Sequence, residues 1–460
     1  MDKLTKLQSL GRNAEDTYDR FLLGQGHDMV RVVSQFEERV HQSLFKYGRF
    51  AIPTFFKPYF LTPRQEKLVK NVTETIARIL EKVIRIYFED PSVRRIFDLS
   101  KEAEELINID PGYKRNVNIA RFDSFLDGEN LKLIELNTDS PAGMGYADLL
   151  EDIFFETHEI EDFLHAFHFR RESRRQKLLE SLLGAYGEFR GGSTHNPRIA
   201  IVDWRTVKTR PEFEALKAYF EEKGFPTTIA DPRDLRLQQG KLYHEDFQID
   251  LIYRRVIFNE LLEKLDEVKD FIEAYRKHAV CVVNSFRSKL AGTKAVLSML
   301  TTPEYDHFFT EEENKIKSEN IPWTRRVLDA DHFYGTKKVF FIDFLKDEKD
   351  HLVMKPSEGY GAKDITVGFE TREDDWNRAI DKALKSNWVL QELVRIPFMN
   401  VPIVINNKLE FVRKKVSLNP FCFGGRYATC LARLSEETVI NVSHGGGLIP
   451  SVSEEEVHNR

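Results

Sequence analysis

The chain has 460 residues, which at roughly 150 per domain gives two to four domains; 41% hydrophobic and 31% charged residues fit a folded rather than a disordered protein. Sixty-eight Lys and Arg against 74 Asp and Glu leave −6, so no bulk positive field points to nucleic acid as a partner. Three cysteines (Cys281, Cys422, Cys430) cannot staple a chain of this length. No apolar run reaches the roughly 18 residues of a membrane helix, and the opening MDKLTKLQSLGRN lacks a signal-peptide core, so the expectation is a cytoplasmic, multi-domain α/β protein with no membrane partner.

The first hundred residues read as helical. Thr62-Pro63 followed by Glu66 is a helix start, and Leu68, Val72, Ile76, Ile79, Val83 and Ile86 recur every three or four residues as one apolar stripe. After Pro111 the pattern changes. Asn116–Leu126 and Leu131–Asn137 are strand-like runs joined by the turn sequence Asp127-Gly128-Glu129-Asn130, which predicts a hairpin. A charged helical stretch over 150–190 ends near Gly191-Gly192. Arg198–Trp204, Thr227–Ala230, Leu251–Ile257 and Ala279–Val283 then alternate with a helix over Pro211–Lys223, the signature of a mainly parallel sheet. Leu290–Leu300 is helical and 303–322 is a polar surface excursion. Strands return at Leu352–Pro356, Ile365–Phe369, Trp388–Leu393 and Glu410–Val416.

Several chemistries are missing. There is no GxxxxGK[ST] and no GxGxxG after a strand; Gly359-Tyr360-Gly361 runs on into Ala-Lys-Asp. His444-Gly445-Gly446-Gly447 is similar to an esterase oxyanion loop but has no GxSxG elbow to serve. No HExxH, CxxC or other His/Cys spacing suits zinc.

Two constellations stand out. In the hairpin, Arg121 and Asp123 share a strand face, as do Glu135 and Asn137. If Asp123 lies opposite Glu135, all four share one face, where two carboxylates repel unless a cation lies between them. Two carboxylates and an amide oxygen are hard ligands suited to Mg²⁺ shared with phosphates. An Asp-Gly two-residue turn sets the wrong register for this, so an odd-length loop or a turn with a bulge is required; otherwise both pairs are exposed polar positions. The second constellation is Val353 to Gly361, where Lys355 ends an apolar strand and enters a loop containing Ser357, Gly359 and Gly361, a plausible phosphate cradle. Downstream, Val389–Val394 places Gln391 and Glu392 inside a strand that can offer groups to a purine edge and a ribose. A hairpin tip followed by an ordinary strand fits the same residues.

Together these pieces resemble the ATP-grasp ligases. R-x-D followed by E-x-N is similar to their magnesium end, Lys-Pro-Ser-Glu-Gly to their phosphate loop, and Gln391-Glu392-Leu393-Val394 to their adenine hinge. The magnesium residues come before the lysine loop here, not after it, which resembles the circularly permuted order of glutathionylspermidine synthetase. Asn284–Leu300 and Arg198–Leu235 (with TRPEF) are similar to further stretches of that family. Its amidase domain has no match, since residues 1–110 are cysteine-free.

The resemblance implies an α/β (α+β) fold: a permuted ATP-grasp with a parallel-sheet pre-ATP-grasp domain and a helical N-terminal region. The implied division is 1–111 helical; 112–190 magnesium-ligand part plus helices; 191–286 parallel α/β; 287–460 nucleotide-binding part. It also implies ATP and Mg²⁺, with Asp123, Glu135 and Asn137 as metal ligands. Lys294, Lys355, Ser357, Gly359 and Gly361 would meet the phosphates, and Gln391, Glu392 and Val394 the adenosine. Arg121 would stabilise the transferring phosphoryl group, and Arg426, in Gly424-Gly425-Arg426, is similar to a further active-site arginine. The implied reaction joins a small-molecule or peptide carboxylate to an amine through an acyl phosphate, with 357–363 and 303–320 as candidate lids. Asp139, beside the metal ligands, is either an amine-attracting acid or a solvated loop residue. The alternatives are a non-catalytic ATP-binding protein and a kinase-like phosphotransferase on the same fold.

Overall fold

The computed structural model describes residues 13–192, 196–328, 332–334, 337–358 and 364–455. The longest helix, α1 (Pro63–Glu89), starts as its sequence dictates. The Thr62 hydroxyl accepts from the Gln65 N–H, the Gln65 side chain accepts from the Thr62 N–H, and Pro63 occupies a position where a missing N–H costs nothing. Val72, Ile76, Ile79, Val83 and Ile86 of the expected stripe are buried and Leu68 is half-buried at its edge.

Three sheets carry the rest of the argument. The first is antiparallel. Its hairpin, β1 (Ile119–Asp127) and β2 (Asn130–Asn137), is extended by strands from the far end of the chain. The second is parallel: β3 (Ile199–Val202), β4 (Thr227–Ala230), β5 (Leu251–Arg254) and β6 (Cys281–Val283), in the order β6-β5-β3-β4. A three-stranded antiparallel meander over 235–249, not anticipated from sequence, is inserted between β4 and β5. The third sheet is antiparallel, with β7 (Thr324–Arg326), β8 (Leu352–Pro356), β9 (Thr366–Val367) and β10 (Trp388–Glu392) in the order β7-β10-β8-β9.

The remaining strands complete the first sheet. They are β11 (Phe398–Ile405), β12 (Lys408–Phe423), β13 (Arg426–Ser435) and β14 (Gly447–Ile449). Sheet order is β14-β13-β12-β1-β2, and β11 pairs with the first half of β12. Residues 421–423 of β12 pair with 119–121 of β1, so the early hairpin is an integral part of a sheet built from the last 65 or so residues. α1 packs against β12 and β13 and against a short helix, α2 (Ser288–Gly292), which is followed by α3 (Lys294–Leu300).

Period two separates the faces of the third sheet. Leu352, Met354 and Leu390 pack with Trp376 and Ile380 of the helix Glu373–Leu384. Val353, Lys355 and Gln391 face the other way, into a cleft against the first sheet.

Residues 303–320 differ from expectation. They form a 3₁₀ turn (Pro303–Phe308) and a helix (Glu311–Asn320) docked on α1 and β2. Lys82 pairs with the buried Glu313 at 2.6 Å, and the buried Asn320 donates to the Leu131 carbonyl at 2.8 Å. These bonds tie the segment down, so it is a fixed wall and not a lid.

One buried side chain beside the parallel sheet bonds to both ends of the hairpin. Asn284, just beyond β6, accepts through Oδ1 from the N–H groups of Asn118 (3.0 Å) and Ile119 (2.9 Å). Its Nδ2 donates to the carbonyls of Ile119 (2.7 Å) and Thr138 (2.8 Å). One carboxamide thus ties the start of β1 to the end of β2. Asn284→Ala leaves two buried N–H groups without acceptors and is expected to cost about 3 kcal/mol or more of stability, read as a lowered urea midpoint at unchanged slope.

Candidate active site

The register of the β1–β2 hairpin places the first constellation. Asp127 pairs with Asn130 across a two-residue turn, Gly128-Glu129, in which Gly128 has φ +63°. That register runs to Ser124 opposite Leu133 and then shifts: Asp123 faces Glu135 and Arg121 faces Asn137, so Ile134 is the extra residue of a β-bulge. The short turn is kept and the odd residue lies within β2. Arg121, Asp123, Glu135 and Asn137 consequently line one cleft.

The charges on this face are compensated by cations from four elements. Arg121 grips Asp123 with Nε at 2.8 Å and Nη2 at 3.2 Å, while its Nη1 donates to the Ala142 carbonyl at 2.7 Å. Arg433 of β13 reaches the other side of Asp123 at 2.9 Å. Burial pushes the Asp123 carboxyl up, but the two guanidinium charges and their hydrogen bonds outweigh it and hold the group well below the usual carboxylate range. Glu135 pairs with Lys294 at 2.9 Å. Lys294 is the first residue of α3, set there by Thr293, whose hydroxyl accepts from the Ala295 N–H.

Lys355 is buried at the end of β8. Its ammonium donates to the Gln391 side chain at 2.7 Å and to the Ile134 carbonyl, at the bulge, at 3.3 Å. Burial pushes its pKa down to about 8; the charge of Glu135 opposes the shift and that of Lys294 adds to it. Opposite the charged end, Val353, Val367, Leu393, Val394, Ile396 and Ile440 make an apolar wall, and the cleft measures about 870 Å³ including its open mouth.

The structure brings Arg121, Asp123, Glu135, Asn137, Lys355, Gln391, Glu392 and Val394 to this cleft, with Lys294 bound to Glu135. Three expectations need correction. Arg426 stands on the exposed β12–β13 turn, its side chain 82% accessible and 3.8 Å from Glu74, and does not line the cleft. Ser357 is turned away as a strut: its hydroxyl meets Thr293 at 3.2 Å, its N–H donates to Asn387 and its carbonyl accepts from Lys294 N–H. Asp139 is paired with the buried Arg254 at 2.6 Å and accepts from the Phe258 N–H at 2.8 Å, so it holds the loop in place. The Gln391 side chain is spent between Lys355 and Thr324 (3.1 Å), leaving Glu392 and the Leu393–Val394 backbone nearer the apolar wall. Gly359 and Gly361 lie outside the described residues, as does most of the expected lid 357–363.

Arg433 also lines the cleft and was not expected there from the sequence. Its signal was present: a lone arginine inside Tyr427–Leu434, a run buried on both faces. Asn419 positions it by accepting from Arg433 Nη2 at 3.1 Å, while accepting from the Ser124 N–H at 3.2 Å.

The donor set suits a magnesium ion. Among the described residues no three His, Cys, Asp or Glu side chains cluster as a metal-ion site. The cleft offers two opposed carboxylates and the Asn137 amide, whose Nδ2 is buried without a hydrogen-bond partner. Two carboxylates and an amide are too few to cage Mg²⁺ and enough to hold it jointly with phosphate oxygens.

Comparison with known proteins identifies the fold family. The family profile described as "A circularly permuted ATPgrasp" matches residues 93–391. No curated protein matches the sequence. Among solved structures, a glutathione synthetase-like effector (GSS30) from Globodera pallida, in apo form, superposes with a TM-score of 0.60 at 11% identity, covering 92% of this chain and 96% of its own. The ATP-grasp ligase PsnB, complexed with minimal precursor, Mg and ADP, gives 0.29 at 12% identity over 55% of this chain and 88% of its own. D-alanyl-alanine synthetase A from Vibrio cholerae gives 0.24 at 13% identity over 48% of this chain and 66% of its own. With 299 of its 460 residues inside the family profile, and with a permuted order in which residues 119–137 complete a sheet of residues 398–449, the chain belongs to the circularly permuted ATP-grasp family of ATP-dependent ligases.

Proposed function

We propose that the protein joins a small-molecule or peptide carboxylate to an amine at the expense of ATP, through an acyl phosphate. The observation that carries this reading is the convergence on one cleft of Asp123, Glu135 and Asn137 from one sheet with Lys355 from the other, Lys294 bound to Glu135, and an apolar wall at the opposite end. That wall suits a purine, and Glu392 beside it a ribose hydroxyl. Asp123, Glu135 and Asn137 would hold Mg²⁺, which would supply positive charge to offset that of the phosphates.

The first step is phosphoryl transfer from ATP to a substrate carboxylate oxygen. It needs alignment and charge compensation more than covalent help. Lys355 and Lys294 meet the phosphates, and Arg121 and Arg433 offset the charge spread over the transferring group. The amine nitrogen then attacks the acyl carbon, and phosphate leaves from the tetrahedral intermediate. No side-chain nucleophile is called for. Cys281, Cys422 and Cys430 are buried, and burial pushes all three thiols up, away from a reactive thiolate.

ATP with Mg²⁺ at about 100 times its dissociation constant is expected to stabilise the protein by about 2.7 kcal/mol, seen as a rise in Tm that Lys355→Ala largely removes. An unchanged Tm in the unsubstituted protein at millimolar ATP and Mg²⁺ overturns the reading. Because the Lys355 ammonium loses its proton around pH 8, nucleotide affinity should hold below that pH and fall as pH rises through it. Lys355→Arg should flatten the decline. Glu135→Gln should leave the circular-dichroism spectrum intact and abolish acid-dependent hydroxamate formation from ATP, Mg²⁺ and hydroxylamine. A stable phosphorylated product in place of hydroxamate would mark a kinase.

A further inference from the structure

A second, smaller compartment lies across the Glu135–Asn137 pair from the nucleotide cleft. It shares those two residues with the cleft and is closed by Ser140, Asn259, Lys289 and Glu358, with about 570 Å³ including its mouth. Its cation is Lys289, on α2, with a side chain 10% exposed. α2 is held close to β2 by Gly292, where a Cβ would meet the Thr138 hydroxyl at 2.8 Å. Asn259 comes from the parallel domain, on the helix Phe258–Leu262. Both donors converge on one oxygen of Glu358: the Lys289 ammonium forms an ion pair with it, and Asn259 Nδ2 donates to it at 3.0 Å.

The remaining cations here have fixed partners on the sheets themselves. Arg121 and Arg433 hold Asp123, Lys294 holds Glu135, and Lys355 holds Gln391. Lys289 differs in that its counter-ion stands on the loop leaving β8, whereas both donors belong to packed helices. A buried ammonium needs an anion, and a carboxylate reaching in from the pocket wall satisfies that need as a ligand would.

We propose that Lys289 and Asn259 form a subsite for a second carboxylate of the acid substrate, and that Glu358 fills this subsite until the substrate displaces it. The inference rests on the ligase reading and narrows it: the acyl donor is a dicarboxylate, one end anchored at Lys289 and the other presented beside Glu135 and Asn137 to the phosphate end of the nucleotide. Glu358 then sets an affinity threshold, because any ligand has to compete with an internal carboxylate at high effective concentration.

Calorimetric titration of the full chain with malonate, succinate and glutarate, in the presence of Mg²⁺ and ADP, tests this. Glu358→Gln should bind at least one of the three about tenfold or more tightly than the unsubstituted protein, and adding Lys289→Met should abolish the gain. Asn259→Ala in the Glu358→Gln background, a milder change should the lysine variant misfold, should weaken binding about threefold. Equal or absent dicarboxylate binding in the unsubstituted protein and Glu358→Gln overturns the subsite, as does a gain that survives loss of Lys289. Tighter binding of inorganic phosphate in place of the dicarboxylates would assign Lys289 to the nucleotide and also overturn it. The Mg²⁺-ATP rise in Tm is read in parallel: if it persists while the dicarboxylates fail, only the subsite falls, and if it is absent from the unsubstituted protein the ligase reading falls with it.

Discussion

Two carboxylates, Asp123 and Glu135, face each other directly across adjacent strands at the floor of a cleft. Like charges about 4 Å apart repel by about 4 kcal/mol at a near-surface dielectric, and cations from four surrounding elements offset the charge of this pair. Arg121 comes from the same strand, Arg433 from β13, Lys294 from the capped start of α3 and Lys355 from the end of β8. Ion pairs as buried as these contribute little net stability. What they contribute is position, because each cation has to be delivered by its own rigid element. A site of like charges therefore makes demands on both antiparallel sheets and on the helix between them.

The parallel sheet serves this site indirectly. In open parallel sheets ligands settle at the carboxyl ends of the strands, and here that edge is occupied by the protein's own loop after β2. Arg254, ending β5, takes Asp139; the Arg255 carbonyl accepts from the Ser140 hydroxyl, and its guanidinium donates to Pro141. Glu212, in the TRPEF stretch, accepts from the N–H groups of Gly143 (2.7 Å) and Gly145 (3.0 Å). The crevice that would hold a nucleotide in other doubly wound folds instead anchors the far end of the β1–β2 hairpin.

The hairpin, the parallel sheet and the lysine strand were legible because each carries a local pattern: period-two faces, strand–helix alternation, a charged end to an apolar run. The register of the hairpin was not. It turns on a bulge at Ile134, a residue that looks like any other in a strand, and only pairing with β1 reveals it as the extra one. Gly424-Gly425-Arg426 is similar to a family active-site arginine, yet here the two glycines shape the β12–β13 turn and Arg426 stays exposed on it. Arg433, inside a buried strand, is the arginine that reaches Asp123. Gln391 reads as a hinge residue, but its carboxamide is consumed by Lys355 and Thr324, a contact between three strands that no local motif encodes. The meander over 235–249 escaped notice because its strands are three or four residues long and turn at Gln239-Gly240 and at Glu245, without an apolar run to mark them.

The separation of Asp123 from Arg433 has a consequence for how the protein is made. At a synthesis rate of about 5–20 residues per second, on the order of 15–60 s pass between the emergence of the aspartate and that of its second arginine. For that interval β1 has β2 on one side and, on the other, an open edge awaiting β12. A sheet with an unfilled edge is a template for wrong partners. In the ribosome-bound chain, the strand that carries Asp123 is therefore a segment in need of shelter until the last strands arrive.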